Sequence, residues 1–252
     1  MSAHELIATH PLLKKIAIGS RWIGKDQFPS NELSRDRVVR WLEYVDSKNQ
    51  FDGFLPRLKD SPDKRDECLA EITAAYFIEA CAGYPINTWE PAGNNGKLGE
   101  FSFTFRSQEI FCEVKSPGWE REIVEREGVK SPRLNQPKYI RGEGGSFDNS
   151  LYVQDTVLKA YPKFPIKQPT LLILVDDFKV PLSDDPIDMW KALFKENGGC
   201  FTTNQFCNLG AIGALCAEKI DPDFCVYHNP MALESVVLPK GVFAKYRQVF
   251  KG

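Results

Sequence analysis

The chain has 252 residues, of which 42% are hydrophobic and 26% are charged, a composition typical of one globular domain with an appendage. Its 32 basic against 34 acidic residues exclude a basic surface over the whole protein, so any contact with nucleic acid must depend on local patches. Seven cysteines without a Cys-x-x-Cys spacing, and three scattered histidines, argue against a zinc module and indicate reduced thiols. Because no run of 18 apolar residues and no signal-peptide pattern occurs, we expect a soluble, cytoplasmic protein without membrane contact.

The first sixty residues are predicted to be mostly helical. Ser30 or Asn31 can cap a helix from residue 32 to about residue 48, whose apolar residues recur on one broad face. We assign residues 1–60 to an N-terminal helical extension and residues 61–252 to an α/β domain. The sequence leaves open whether the extension covers the core or contacts a partner.

A second long helix is predicted at the start of the α/β domain. The segment 61–63 combines a capping serine, a proline in the first turn and an acidic residue near the positive end of the helix dipole. Gly83 is a typical C-terminal stop for this helix. Glu67 and Glu71 lie on one stripe at i, i+4 spacing, for which a solvated stripe is the simplest interpretation.

Strands and helices alternate over the remainder of the chain. The predicted elements are a strand at 86–89, a turn-rich link at 90–99, a hairpin at 100–115, a helix at about 148–161, a strand at 170–175, a helix at about 186–196 and a strand near 208–216. This order predicts an α/β or α+β fold with a central mixed sheet flanked by helices.

The hairpin carries charged residues where a plain hairpin would have serine or threonine. A turn at residues 107–108 would make one face continuously apolar, with Phe105 opposite Ile110, Phe103 opposite Cys112 and Phe101 opposite Val114. Glu100 would then lie opposite Lys115 on the other face, with Glu113 as its diagonal neighbour roughly 7–8 Å away at the backbone. The turn lacks Gly or Asn, so a longer loop is the alternative.

Two carboxylates and a lysine on one sheet face favour hard-cation chemistry. Oxygen ligands without histidine suit Mg²⁺ or Mn²⁺, and such an ion can activate water and neutralise a phosphoryl group. A lysine two residues from a ligand would lie beside the same phosphate. The alternative is a solvated cross-strand pair of Glu100 and Lys115, worth about 0.2–1 kcal/mol. Of three acid-x-Lys triplets, only residues 113–115 end a strand that pairs with another carboxylate-bearing strand.

At these residues the sequence resembles the PD-(D/E)xK superfamily of restriction-endonuclease-like nucleases. The resemblance covers roughly residues 61–176 and lies in the order helix–strand–strand–strand–helix–strand and in the segments LAEITAAYFIEACAG, GKLGEFSFTF and IFCEVKSPG. It implies that Glu100, Glu113 and Val114 are metal-ligand positions, that Lys115 assists the attacking water, and that Glu71 joins the site from the first helix. The chain departs from the family at Glu100, where the family usually has Asp.

The resemblance implies a Mg²⁺-dependent (or Mn²⁺-dependent) DNA endonuclease of restriction or repair type, which could act as a homodimer. Candidate contacts to DNA lie in two local basic patches, Lys130, Arg133, Lys138 and Arg141 in the first and Lys159 and Lys163 in the second. Ordinary solvated loop cations remain an equal interpretation of both patches. Family members commonly place a polar residue on the helix after the triplet strand, for which Gln154 or Lys159 could serve.

Two other functions remain open at the level of the sequence. The first is a degenerate nuclease fold that binds nucleic acid or a protein without cutting, and the departure at Glu100 favours it. The second is a nucleotide or sugar-phosphate enzyme with Asp176 and Asp177 at the carboxyl end of a strand as its site. The second would need a glycine-rich phosphate turn after a strand, and the sequence contains none of the right form.

Overall fold

The computed structural model describes residues 3–18, 32–116, 150–176, 186–196, 198–216 and 222–251. These residues belong to two compact units, one up to residue 76 and one from residue 77 onward. The division into an extension of residues 1–60 and a domain of residues 61–252 stays a prediction.

The first unit is helical. Its helices are α1 (Ala3–Thr9), α2 (Pro11–Ala17), α3 (Glu32–Ser47), α4 (Phe51–Lys59) and α5 (Pro62–Tyr76). The predicted apolar face of α3 is confirmed, because Val38, Leu42 and Val45 are buried. None of the helices in the described ranges combines the length and apolar character that crossing a bilayer requires.

The second unit contains one seven-stranded mixed sheet. A π-helical turn (Phe77–Cys81) and Gly83, whose φ of 83° favours glycine, precede the first strand. The strands are β1 (Ile86–Trp89), β2 (Phe101–Phe105), β3 (Gln108–Lys115), β4 (Thr170–Asp176), β5 (Ala211–Cys216), β6 (Asp223–His228) and β7 (Arg247–Val249). The sheet order is β1-β2-β3-β4-β5-β6-β7. The pairs β3–β4, β4–β5 and β6–β7 are parallel and the other pairs are antiparallel.

The predicted fold class is confirmed: this is a mixed α/β protein whose central mixed sheet is flanked by helices. Helix α6 (Ser150–Ala160) connects β3 to β4, and helix α7 (Pro186–Phe194) lies between β4 and β5 in the chain. The helix–strand–strand–strand–helix–strand order is therefore present. The sequence analysis did not predict β6 and β7, which extend the sheet beyond β5.

The two faces of the sheet have different partners. On one face, Val153 and Val157 of α6 and Met189 of α7 pack in a single buried cluster with Phe111 and Leu172 of the sheet. On the other face, Phe224 of β6 packs against Phe77, Phe243 and Tyr246, with ring centroids 4.7, 5.0 and 5.7 Å away. Residues of β3 alternate between these faces, and the odd-numbered ones, including Phe111 and Glu113, lie on the face of the buried cluster.

The predicted register of the hairpin is wrong by two residues. Phe101 lies opposite Cys112 instead of Val114, and Phe105 lies opposite Gln108. A shift of two residues keeps every side chain on its face, because side chains alternate with a period of two. The apolar and charged faces of the hairpin are therefore as expected, but each residue has a different cross-strand neighbour.

The turn explains the error. It consists of Arg106 and Ser107, both at positive φ, 47° and 69°, as in a type I′ turn. Such turns normally contain Asn or Gly, and neither residue is present, so no local preference distinguishes a turn at 106–107 from the predicted turn at 107–108. Non-glycine residues pay a conformational cost of about 1–2 kcal/mol in this region.

We predict that Ser107→Gly stabilises the protein by roughly 0.5–1 kcal/mol. Glycine removes the steric cost of positive φ, and its larger conformational entropy in the unfolded chain cancels part of that gain. Urea unfolding of the full chain measures the change. Ser107→Ala is the matched control: it also removes the hydroxyl but keeps Cβ, so it should not stabilise. Equal stabilisation by both substitutions would contradict the turn geometry.

Candidate functional site

Glu100 and Glu113 come together because β2 and β3 are paired neighbours. Glu100 immediately precedes β2, and its backbone N–H donates to the carbonyl of Cys112 at 3.0 Å. Glu100 therefore lies beside Glu113, not opposite Lys115 as the predicted register had it. Lys115 follows two residues later on the same face of β3.

Two ammonium groups lie against these two carboxylates. Lys115 Nζ is 2.6 Å from Glu113 Oε1 and 3.8 Å from Glu100 Oε1. Lys163 Nζ is 2.6 Å from Glu113 Oε1 and 3.4 Å from Glu100 Oε1. The distances from Lys163 limit the separation of the two Oε1 atoms to about 6 Å. We call Glu100, Glu113, Lys115 and Lys163 the carboxylate–lysine cluster.

Lys163 joins this cluster from the turn Tyr161–Lys163, which follows α6. The sequence predicts Lys163 as part of a basic patch and a candidate contact to DNA, and does not indicate that it lies beside the carboxylates. The turn is fixed from both sides: Phe164 is fully buried, and Gly93 packs so closely that a Cβ there would lie 2.3 Å from the Lys163 carbonyl oxygen. One feature of the sequence indicates that the position of Lys163 is fixed: it directly precedes Phe164, a phenylalanine of the core.

Glu113 is a fully buried carboxylate. Its side chain has no solvent exposure, while Glu100 is 16%, Lys115 32% and Lys163 25% exposed. Burial raises the pKa of Glu113; Lys115 and Lys163 oppose this rise and Glu100 adds to it. The Oε2 atom of Glu113 has no hydrogen-bond partner within the described ranges.

The surroundings of Lys163 favour its charged form, whereas those of Glu113 favour its neutral form. Burial alone would lower the pKa of Lys163, but Glu113 and Glu100 outweigh that effect and raise it. Lys163 is therefore charged at neutral pH, and the cluster places two ammonium groups against two carboxylates. A solvated cross-strand pair of Glu100 and Lys115, the alternative interpretation of the sequence, does not describe a group whose central carboxylate is fully buried.

Glu71 has a partner within the first unit. Its carboxylate accepts hydrogen bonds from both terminal nitrogens of Arg57, at 2.7 and 2.5 Å, and is 9% exposed. Glu67, on the same stripe, forms an exposed pair with Lys64 at 2.8 Å, as expected for a solvated stripe. The role of Glu71 in a site stays a prediction.

The other candidate residues have different surroundings or lie outside the described ranges. Gln154 donates to the carbonyl groups of Ala192 and Gly198, and Lys159 is 71% exposed and 2.5 Å from Asp155. The side chains of the alternative site at 176–177 are outside the described part of the chain. The same holds for the first basic patch, Lys130, Arg133, Lys138 and Arg141.

The oxygen donors of the cluster suit a small hard cation. Two carboxylates within reach of each other, one with a buried unpartnered oxygen, fit the oxygen-only ligands that Mg²⁺ and Mn²⁺ prefer. Val114 could add only its backbone carbonyl, because valine has no side-chain donor. Within the described ranges, no group of three or more His, Cys, Asp or Glu residues is arranged to hold a metal. Any ion here would therefore keep several water ligands.

No family model matches the chain, and no curated protein matches it. Among solved structures it is similar to SfsA of Pyrococcus furiosus in complex with Ca²⁺, with 13% identity and a TM-score of 0.24, over 60% of this chain and 56% of SfsA. The chain thus matches little more than half the length of that protein. A similarity of this size carries no argument about function, and the fold class is founded on the strand order and pairing described above.

Proposed function

We propose that this protein is a divalent-metal-dependent phosphodiesterase that hydrolyses DNA, with Glu100 and Glu113 as its metal ligands. The observation that carries the proposal is the fully buried carboxylate of Glu113, whose Oε2 atom lacks a hydrogen-bond partner among the described residues. A buried polar atom left unpaired costs about 1–3 kcal/mol. A bound cation would coordinate that atom and so remove the free-energy cost of leaving it unpaired.

Three of the four residues of the cluster then have a task at the metal or at the substrate. When bound, the ion would supply an activated water and neutralise negative charge on a phosphate. Glu113 and Glu100 would hold it between the start of β2 and the end of β3, with the Val114 carbonyl as a further candidate donor. Lys115 is 32% exposed, and its ammonium, 2.6 Å from Glu113 Oε1, would hold the attacking water and a phosphate oxygen.

DNA as the substrate is inferred from the resemblance to restriction-endonuclease-like nucleases and from the basic patches of the sequence. The proposal depends on Glu100 and Glu113 alone as side-chain ligands. Glu71 remains a candidate third carboxylate that would first have to leave Arg57. Glu100 in place of the family's Asp moves the carboxylate one methylene further from the backbone, which two-ligand coordination can accommodate.

One observation favours a second function, a degenerate nuclease fold that binds a partner without cutting. Lys115 and Lys163 already balance the two carboxylates, so the cluster is neutral without a metal. Incubation of the protein with supercoiled plasmid and Mg²⁺ or Mn²⁺ distinguishes the two functions. Metal-dependent nicking supports the nuclease, and intact plasmid together with DNA binding supports the degenerate fold.

We predict that Glu113→Gln abolishes Mn²⁺ binding and metal-dependent cleavage while the fold survives. The amide keeps the volume of the side chain but removes the charge that a divalent ligand site requires. Calorimetric Mn²⁺ titration and plasmid cleavage are measured on the same preparation, with circular dichroism as the check on folding. Exposed Glu234→Gln removes the same charge elsewhere and is the control. Cleavage that persists in Glu113→Gln would rule out this ligand assignment.

We predict that Lys115→Ala lowers the single-turnover rate of cleavage by about 10²–10³, the usual effect of losing one donor that acts in the transition state. Mn²⁺ affinity should stay level or rise, because a competing cation has gone. Single-turnover kinetics and Mn²⁺ titration on the same variant separate these effects. A collapse of Mn²⁺ affinity in a folded variant would mean that Lys115 organises the carboxylates and does not act on the substrate.

The raised pKa of Glu113 leads to a prediction for pH. Mn²⁺ requires the ionised carboxylate, and the pKa of Glu113 lies above the ordinary value of 4.5 because of burial. Lowering the pH should therefore weaken Mn²⁺ binding from a higher pH than an ordinary glutamate would, with release of a proton on binding. Calorimetry in buffers of different ionisation enthalpy counts that proton. Affinity that stays constant from pH 7 to pH 4.5 would contradict the prediction.

A further inference from the structure

Lys163 is the second cation of the cluster, and the mechanism above does not use it. Its Nζ is 2.6 Å from the buried Glu113 and 3.4 Å from Glu100, closer to Glu100 than Lys115 is, at 3.8 Å. It thus bridges the two carboxylates that would hold a metal. Since the side chain is only 25% exposed, this is a partly buried bridge and not a loose surface pair.

The backbone that carries Lys163 is held firmly, but its side chain comes from a different segment than the carboxylates. The Phe164 amide donates to the Tyr161 carbonyl at 3.1 Å, and Gly93 packs against the Lys163 carbonyl. Lys115, in contrast, belongs to β3 together with Glu113. Rotation about the side-chain bonds of Lys163 can remove its ammonium from the carboxylates while the backbone of the turn stays in place.

The binding of a divalent ion changes the net charge of the cluster. Without an ion, two ammonium groups balance two carboxylates; with an ion and both ammonium groups in place, the positive charge would be twice the negative charge. Like charges in a partly buried site repel each other strongly. Displacement of one ammonium lowers this repulsion, and Lys163 is the ammonium that has no task at the substrate.

We propose that Lys163 is a built-in counter-ion of the metal site: it bridges Glu100 and Glu113 in the metal-free protein and is displaced when a divalent ion binds. This inference rests on the proposed function, because it takes the two glutamates as ligands. Lys163 is then a positioning residue that keeps the carboxylates together and sets the affinity for the ion. It stabilises the metal-free protein and weakens metal binding by the same contacts.

Lys163→Met tests the inference, since methionine fills similar space without the charge. Mn²⁺ titration by calorimetry at pH 8, on the full chain without DNA, should show affinity increased about tenfold, the order expected for losing one cation in direct contact with the ligands. Thermal unfolding should show a lower Tm without metal and a deficit that disappears at saturating Mn²⁺. Lys240→Met, which removes the same charge from an exposed position of the second unit, should leave both quantities unchanged.

Lys163→Arg keeps the charge and should keep both the Tm and the weaker Mn²⁺ affinity near their wild-type values. If metal-free Lys163→Met does not fold, Mn²⁺ should restore folding, and failure to do so overturns the inference. Unchanged or weaker Mn²⁺ binding in Lys163→Met overturns it as well, as does a Tm deficit of equal size with and without Mn²⁺. If the wild-type protein and Lys163→Met bind Mn²⁺ with equal affinity, only this inference fails. If neither the wild-type protein nor any variant binds Mn²⁺, the proposed function fails as well.

Discussion

The arrangement of the second unit depends on one constraint, the burial of the Glu113 carboxylate. Removing an ionised carboxylate from water costs several kcal/mol unless opposite charge lies close to it. Lys115 and Lys163 supply that charge at 2.6 Å, and they come from β3 and from the turn after α6. Close packing at Gly93 and Gly99 brings these segments together, because a Cβ at Gly99 would lie 2.4 Å from the Phe111 ring. The local packing and the charge balance therefore support each other.

The fold and one face of the site could be predicted because both depend on hydrophobic periodicity. Alternation along β2 and β3 assigns Glu100 and Glu113 to the same face, and a shift of the register by two residues leaves that assignment intact. The register itself depends on a turn of Arg106 and Ser107 at positive φ. Neither residue type favours that conformation, so the two-residue turn is a consequence of strand pairing that overrides local preference.

Other features were missed because they arise only from tertiary packing. Lys163 is one of several lysines near the end of α6, and only the folded turn distinguishes it from exposed Lys159. The pairing of Glu71 with Arg57, fourteen residues earlier in the sequence, was not predicted either, and the role of Glu71 that the resemblance implies stays a prediction. Strand β7 has three residues, too few for a periodic pattern, and strand β6 has a continuous apolar run that does not alternate with polar residues.

The charge balance of the cluster is compatible with a bound divalent ion and with its absence, but the unpartnered oxygen is not equally compatible with both. A cluster that only bound two lysines would be expected to satisfy both oxygens of Glu113, or to replace the glutamate by an apolar residue, since a buried ion pair is often no more stable than apolar packing of similar volume. Instead both ammonium groups lie 2.6 Å from Oε1, and neither oxygen of Glu113 has a partner in hydrogen-bond geometry in the ranges described. A buried polar atom without a hydrogen-bond partner is typically retained where it belongs to a functional site. A divalent ion at Oε2 would account for the glutamate, for its burial and for the second lysine at once.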